Sequence, residues 1–360
     1  MPSPPRFVAH RPGSGQVQGA GRYLPEFAEL APLLTDAAVT DVFVNGPGQL
    51  WLDRGDGLVR QPGLSLSEAE LRELAVRLIA LGGRHIDEAT PCVDVRLHDG
   101  IRVHAVLPPI SPSGTLLSIR LPRVRRLTIG DLEAAGFFEL VAAATVLALV
   151  SARSNILITG AGGSGKTTLL SALLASAKPT DRIVAIEDVA ELQVDHPHFV
   201  SLEVRQANLE GAGEVGLTRL VREALRMRPD RLVLGECRGE EVRELLAALN
   251  TGHDGGAGTL HANSLADVPA RIEALGALAG LGATAIARQT VSAIDAVLHL
   301  ERDNGIRRLV QLGQFALDDR DRLRTVPLDG ANPLKEAARH EEAARHEEAD
   351  RRDGQETPFA

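Results

Sequence analysis

The residue types in positions 160–167, and their spacing, are those of a phosphate-binding loop. The octet Gly-Ala-Gly-Gly-Ser-Gly-Lys-Thr matches the pattern G-x-x-x-x-G-K-S/T. Its glycines let the backbone curl so that N–H groups point at phosphate oxygens, and a helix that begins there adds favourable partial charge. We expect the Lys166 ammonium on the β- and γ-phosphates and the Thr167 hydroxyl on Mg²⁺. The residues predicted to bind a nucleotide in this loop are Gly160, Ala161, Gly162, Gly163, Ser164, Gly165, Lys166, Thr167 and Thr168.

Lysine is rare in this chain, which makes its presence in the octet informative. Only three of the 39 basic residues are lysines, and the other two are Lys178 and Lys335. A planar guanidinium would not fit the tight cradle that a compact ammonium can enter. The apolar run 155–159 before the octet and the helix-forming run 168–175 after it predict the strand, loop and helix that the motif requires.

Two further apolar strands are predicted to end in carboxylates. Residues 231–235 are followed by Glu236, and the strand 182–187 ends at Glu187, shortly before Glu191. Because open α/β sheets bind ligands at the carboxyl ends of their strands, we expect these acids beside the phosphate loop. Glu236 is then placed to hold Mg²⁺ through water, and Glu191 to act as the base for the attacking water. Taken alone, the second acidic group is equally consistent with a solvated turn.

A glycine-rich segment, residues 252–258, leads to a histidine at the end of another predicted strand. That histidine, His261, could sense the terminal phosphate, although His253 and His261 taken singly are more often structural. Further positive charge at the phosphates would come from arginine. The spacing does not choose among the four candidates, which are Arg102, Arg120, Arg226 and Arg228.

Composition and pattern divide the chain into five segments. The predicted segments are a disordered tail (1–21), an α+β domain (22–122), a linker (123–136), an α/β domain (137–330) and a charged low-complexity tail (331–360). The first domain should hold five strands and a helix whose start is marked by the S-x-x-E pattern at Ser67. In the second, alternating strands and helices are typical of a mostly parallel sheet covered by helices. The arginine-rich linker is either a solvated hinge or a surface for acidic lipid or a partner.

The net charge, the apolar stretches and the cysteine count narrow the class of protein. A net charge of −9 argues against an affinity of the whole protein for nucleic acid or anionic lipid. The apolar stretch 141–150 is too short to span a bilayer, and the N-terminus lacks the pattern of a secretory signal. Two cysteines form neither a disulfide framework nor a metal-ligand spacing. These features predict a cytoplasmic protein.

Together the motifs resemble those of the ATPases of type II and type IV secretion systems. The closest likeness is to the tight-adherence branch, which powers Flp pilus assembly, and it covers residues from about 40 to 300. Four boxes occur in the order of that family: Walker A, acidic, Walker B and histidine. The matching stretches of these boxes are 160–167, 186–192, 235–239 and 258–264.

The resemblance implies a fold and an assembly. The fold is a RecA-like P-loop ATPase domain, of α/β class, with a smaller sensor-like N-terminal α+β domain. The assembly is a homo-hexamer that binds ATP and Mg²⁺ between the two domains and associates peripherally with the inner face of the cytoplasmic membrane. Its implied partners are the inner-membrane platform proteins of a secretion or pilus system, and no stable nucleic-acid binding is expected.

The resemblance also implies roles for individual residues. Glu191 matches the proposed base of the acidic box, and Glu236 matches the Walker B glutamate. His253 and His261 match the histidine box. The first-domain arginines that reach the phosphates in the family match Arg102 and Arg120.

The expected function is therefore that of an ATP-hydrolysing hexameric motor, in which turnover drives domain motion and hence an inner-membrane complex. Two alternatives remain open, a DNA-transfer ATPase of conjugation and a nucleotide-regulated adaptor with little turnover. A small-molecule kinase would need a lid and an acceptor site, and no segment has the pattern of either.

Overall fold

A computed structural model describes most of the chain, and it separates into two compact units. The described residues are 24–55, 57–63, 66–97, 100–121, 126–205, 213–303 and 305–328. The units are Met1–Val124 and Arg125–Ala360. The predicted tails 1–21 and 331–360, and the linker arginines at 123 and 125, lie outside the described residues.

The first unit is built on a six-stranded antiparallel sheet. Its strands are β1 (Asp41–Asn45), β2 (Leu50–Asp53), β3 (Leu58–Arg60), β4 (Cys92–Arg96), β5 (Arg102–Val106) and β6 (Leu116–Arg120), in the order β3-β2-β1-β6-β5-β4. A 3₁₀ helix (Pro25–Leu30), α1 (Ala31–Leu34) and α2 (Glu68–Leu81) accompany it. The five predicted strands are present, and the capping box is confirmed, because the Glu70 carboxylate accepts from the N–H of Ser67 at 2.8 Å. The strand β3 was not predicted, since it lies at the edge and all its residues are exposed.

The second unit contains an eight-stranded sheet in which most strands run parallel. Its strands are β7 (Ile156–Gly160), β8 (Ile183–Glu187), β9 (Phe199–Glu203), β10 (Arg231–Leu234), β11 (Ala257–His261), β12 (Ala296–Asp303), β13 (Ile306–Leu317) and β14 (Leu323–Pro327). The order is β14-β13-β12-β7-β11-β10-β8-β9; β13 pairs antiparallel with β12 and with β14, and the other pairs are parallel. All five strands predicted for this domain are present. Every residue of β7 and of β8 is buried, as expected for strands that are covered on both faces.

Helices cover both faces of this sheet. They are α3 (Ile129–Ala134), α4 (Ala143–Ser151), α5 (Lys166–Ala175), α6 (Leu217–Leu225), α7 (Glu241–Leu249), α8 (Val268–Leu278) and α9 (Ala283–Ala293). The helices α3, α4 and α5 contribute to one buried apolar cluster, and α6 to α9 contribute to the other. Among the described residues, no single helix is long and apolar enough to cross a bilayer, and only the bent pair Leu265–Leu278 and Ala283–Ala293 passes on length and composition.

Part of the stretch predicted as a linker is helical. Thr128 begins α3 with a second capping box, in which the N–H of Thr128 donates to the Asp131 carboxylate at 2.9 Å. Leu132 of this helix and Phe137 are buried in the core of the second unit. These apolar contacts explain why the segment is ordered rather than extended.

A buried ion pair ties the amino ends of the parallel strands. Arg231 at the start of β10 donates from Nε to an Asp181 carboxylate oxygen at 2.8 Å, and both residues are at most 5% exposed. Arg231 Nη2 also donates to the carbonyl of Val150, at the end of α4, at 2.9 Å. Buried charges of this kind require partners in good geometry. The pair therefore joins the segment before β8 to the start of β10. Because the two strands run parallel, their carboxyl ends lie at one edge of the sheet.

We expect Asp181→Ala to lower the free energy of unfolding by about 3 kcal/mol or more, because it leaves a buried guanidinium without its counter-charge. Denaturant unfolding followed by circular dichroism measures this loss. The matched control is Glu244→Ala, which breaks the more exposed ion pair with Arg222 and should cost less than about 1 kcal/mol. Equal losses for the two variants would contradict the role given to the buried pair.

Candidate active site

The phosphate-binding loop connects β7 to α5 at the carboxyl edge of the sheet. Gly160 has φ 149°, and a Cβ there would lie 2.4 Å from the carbonyl oxygen of Leu300, so the position requires glycine. Gly165 has φ 101° and begins α5 without any side-chain cap. The N–H groups of the first helical turn, which includes Thr167 and Thr168, are therefore available to an anion.

Lys166 is folded back beneath this loop. The residue is only 7% exposed, and its Nζ donates to the carbonyl oxygens of Gly160 and Ala161, each at 2.9 Å. His261 Nδ1 lies 3.4 Å from the same nitrogen. Burial lowers the pKa of the Lys166 ammonium, whereas the charges of Glu236 and Glu191 favour its protonated form. The cation is thus held among loop carbonyls, a histidine and nearby acids.

His261 links the ammonium to the Walker B carboxylate. Its Nε2 lies 2.9 Å from Glu236 Oε1. An ammonium can only donate, so His261 Nδ1 must accept from Lys166, and the ring proton lies on Nε2, where it donates to Glu236. Burial lowers the pKa of His261, and the charge of Lys166 lowers it further, against the opposing charge of Glu236. These three side chains form one hydrogen-bonded chain of two charges and a neutral imidazole.

Arg238 completes the group around Glu236. Its Nη2 donates to Glu236 Oε2 at 2.7 Å, and its Nη1 lies 3.5 Å from an Asp188 carboxylate oxygen. Burial raises the pKa of Glu236, but the hydrogen bond and charge of Arg238, with the charges of His261 and Lys166, outweigh it, and the net shift is downward. Glu236 is therefore ionised, which suits a metal or water ligand better than a proton acceptor. Sequence reasoning did not single out Arg238, although it lies within the matched stretch 235–239.

The two glutamates of the acidic box have different positions. Glu187 is buried at the end of β8, and its Oε1 accepts from the N–H groups of Glu191 at 2.8 Å and Leu192 at 3.0 Å. Glu187 is one of the acids expected beside the phosphate loop as a nucleotide-binding residue, and in the structure its carboxylate holds the turn that carries Glu191. Glu191 itself is exposed, and its charge acts on both Lys166 and Arg238. The exposed acid can thus meet solvent at the site.

The structure does not bring His253 to the phosphate loop. His253 precedes β11, and its Nδ1 lies 3.2 Å from the carbonyl oxygen of Ala248, whereas His261 ends the same strand. From its first residue to His261, β11 rises roughly 13 Å, and His253 lies before that first residue. Arg226 and Arg228 likewise precede β10, at the amino edge. Within one chain, these three residues lie on the opposite edge of the sheet from Lys166.

The arginines of the first unit form a row across three neighbouring strands. Arg102 on β5 is paired in register with Arg120 on β6 and with Arg96 on β4. Residues directly opposite one another share a face of the sheet, so the three side chains project together. Arg120 also donates to an Asp41 carboxylate oxygen at 2.9 Å. Arg96 was not predicted from sequence, because only the strand register reveals that it belongs to this row.

The residues of the loop fit a magnesium-bound nucleoside triphosphate. The Ser164 hydroxyl is fully buried and has no hydrogen-bond partner among the described residues, and Thr167 lies in the first turn of α5. No group of three or more histidine, cysteine or acidic side chains in the described part of the chain could hold a metal by itself. Mg²⁺ would therefore share its coordination among phosphate oxygens, water, Thr167 and Glu236, as this ion commonly does.

Comparisons with known proteins agree with this geometry. A family model described as "Type II/IV secretion system protein" matches residues 25–319. A Mycobacterium tuberculosis protein named as a candidate conjugal transfer protein is 50% identical over 290 residues, which are 79% of this chain and 82% of that protein. The conjugal transfer protein TrbB of Rhizobium radiobacter is 32% identical over 287 residues, which are 78% of this chain and 85% of TrbB.

Among solved structures, the crystal structure of the pilus retraction motor PilT with bound ADP is similar in fold. The TM-score is 0.57 at 18% identity, and the match covers 88% of each chain. The predicted fold class is confirmed: an α/β, RecA-like P-loop domain with a smaller N-terminal α+β domain.

The lowered pKa of His261 predicts a dependence of stability on pH. The folded chain binds a proton at His261 less readily than the unfolded chain, whose histidine has the ordinary pKa of 6.5. The stability that neutral His261 contributes is therefore present above pH 6.5 and is lost as the pH falls below it. We expect His261→Gln, which keeps a donor and an acceptor, to flatten this loss. The measurement is the free energy of unfolding on either side of that pH.

If the free energy of unfolding of His261→Gln falls with decreasing pH as steeply as that of the parent, the role given to His261 is contradicted. Buried His299, whose pKa is also lowered by burial, contributes its own part of the slope and is unchanged in this variant. The variant should therefore retain a weaker dependence on pH rather than none.

Proposed function

The chain belongs to the type II/IV secretion system protein family, and we propose that it is an ATP-hydrolysing motor of such a system. The observation that carries the proposal is the hydrogen-bonded chain from Lys166 through His261 to Glu236, beside a glycine-rich loop at the carboxyl edge of a parallel sheet. The proposed substrate is ATP, bound with Mg²⁺. The proposed outcome of turnover is domain motion passed to an inner-membrane complex.

The proposed reaction transfers the terminal phosphoryl group to water. Water attacks the γ-phosphorus, the bond to the β–γ bridging oxygen breaks, and ADP and phosphate leave. Glu191, exposed on its turn, accepts the proton of the water, and Lys166 supplies positive charge to the β- and γ-phosphate oxygens. Bound Mg²⁺ neutralises charge on the same oxygens, with Thr167 and ionised Glu236 as the groups that would hold it.

Arginines from the first unit are proposed to complete the site. Arg102 and Arg120 share one face of that unit's sheet, and paired guanidinium groups match the geometry of phosphate oxygens. We propose that the first unit closes on the nucleotide within a homo-hexamer, and that ATP drives this closure. The assembly would lie at the inner face of the cytoplasmic membrane through its platform partners. Sedimentation with a non-hydrolysable ATP analogue should give a species near six subunits, and a monomer at every concentration would contradict this assembly.

Two tasks are compatible with such a motor. The sequence resemblance favours Flp pilus assembly, whereas the relatives from M. tuberculosis and R. radiobacter carry names that refer to conjugal transfer. A net charge of −9 disfavours direct contact with DNA in either case. Stimulation of ATP turnover by DNA would favour the conjugal task, and stimulation by a membrane-platform protein in the absence of DNA would favour pilus assembly.

Substitution of the proposed site residues should abolish turnover. We expect Glu191→Gln and Glu236→Gln each to lower kcat by about 10²-fold or more, the usual contribution of such groups. Lys166→Ala should also lose nucleotide affinity, because the loop loses its cation. Steady-state phosphate release measures all three. The matched control is Glu240→Gln, an exposed acid of the segment before α7, which should retain parental turnover.

Unchanged turnover in all three site variants would exclude this site. A parent protein that binds ATP but does not hydrolyse it, even with its membrane partner, would instead favour a nucleotide-regulated adaptor. The two outcomes are distinguished by calorimetric titration of ATP into the same preparations.

The first-unit arginines should act on the transition state. We expect Arg102→Ala and Arg120→Ala to lower kcat by about 10³-fold while changing nucleotide affinity much less, since an arginine of this kind stabilises charge that develops during transfer. Arg60→Ala on the edge strand β3 is the control and should change neither quantity. A loss confined to affinity would remove the transition-state role.

A further inference from the structure

The phosphate loop has a second charged flank. In the sheet, β7 lies between β11 and β12, so the loop that follows β7 has two sides. Glu236 and His261 lie on the side of β10 and β11. On the other side, the β12–β13 hairpin carries Arg302 and Arg307, which are directly paired across the two strands. Their side chains therefore project from the same face of the hairpin.

Arg307 contacts the loop backbone. Its Nε donates to the carbonyl oxygen of Gly163 at 2.8 Å, and its Cδ lies 3.3 Å from the position that a Cβ on Gly165 would occupy. Because a peptide group is planar, holding this carbonyl also fixes the orientation of the next N–H group in the loop. The contact makes Arg307 a positioning residue for the phosphate-binding backbone.

Arg302 is exposed beside the same loop. Its Nη1 lies 3.7 Å from the position that a Cβ on Gly163 would occupy. In the described part of the chain, the side chain of Arg302 makes no hydrogen bond and no ion pair. The guanidinium is thus available to a negatively charged ligand of the loop.

We propose that Arg302 binds the nucleoside end of the nucleotide and that Arg307 positions the phosphate loop beside it. The inference rests on the proposed function, in which the γ-phosphate faces Glu236 and His261. A triphosphate that runs along the loop from that flank must carry its α-phosphate and nucleoside toward the opposite flank, where the hairpin lies. Arg302 offers the planar surface of its guanidinium to the base, and Arg307 holds the loop in shape.

Two ligands separate the nucleoside end from the phosphates. ADP carries a nucleoside, and inorganic tripolyphosphate does not. We expect Arg302→Gln to weaken the binding of ADP about 10-fold, because the base loses its contact with the guanidinium, and that of tripolyphosphate by less than about 2-fold. Arg307→Gln should weaken both ligands, because the loop itself loses support. Calorimetric titration of the full chain with Mg²⁺ measures each affinity.

Arg308→Gln removes an arginine of the same hairpin whose Nε donates to Glu139 at 2.9 Å, and it should bind both ligands as the parent does. Parental ADP affinity in Arg302→Gln, or equal losses for ADP and tripolyphosphate, would overturn the proposal. If the parent binds neither ligand, the proposed ATP site fails, and that result is distinct from a failure of the hairpin assignment.

Discussion

The burial of the Lys166 ammonium is the constraint on which the rest of the site depends. A cation that is 7% exposed must be surrounded by acceptors and counter-charges, or its burial would neutralise it. Two loop carbonyls, one imidazole and the charges of Glu236 and Glu191 meet this need. Each of these groups lies at or just beyond the end of a strand, so the sheet order β7-β11-β10-β8 is what brings them together.

The two edges of this sheet use charge in different ways. At the amino edge, Arg231 and Asp181 are buried together and saturated with partners, which makes them an anchor rather than a reactive group. At the carboxyl edge, Glu191 and Arg302 are exposed, and their charges remain accessible to a ligand. The residues that stabilise the sheet and the residues that could bind a ligand therefore lie at opposite ends of its strands. A change at the anchor would alter the site by shifting where strands end.

Local patterns predicted much of this arrangement, and tertiary pairing determined the rest. Some features depend only on residues close in sequence, and the sequence therefore predicts them. They are the phosphate loop, its flanking strand and helix, and the capping box at Ser67. His253 and His261 belong to one glycine-rich run, yet the intervening strand carries them to opposite edges of the sheet. Arg302 and Arg307 were missed because their proximity to Gly163 arises only when β13 folds back on β12.

A structure of the protein with Mg²⁺ and a non-hydrolysable ATP analogue tests the central inference most directly. Lys166 Nζ, which now donates to Gly160 and Ala161, should then lie within hydrogen-bonding distance of β- and γ-phosphate oxygens, with Glu236 beside the metal. A nucleotide bound elsewhere, with the ammonium still on the two loop carbonyls, would contradict the assignment of this site.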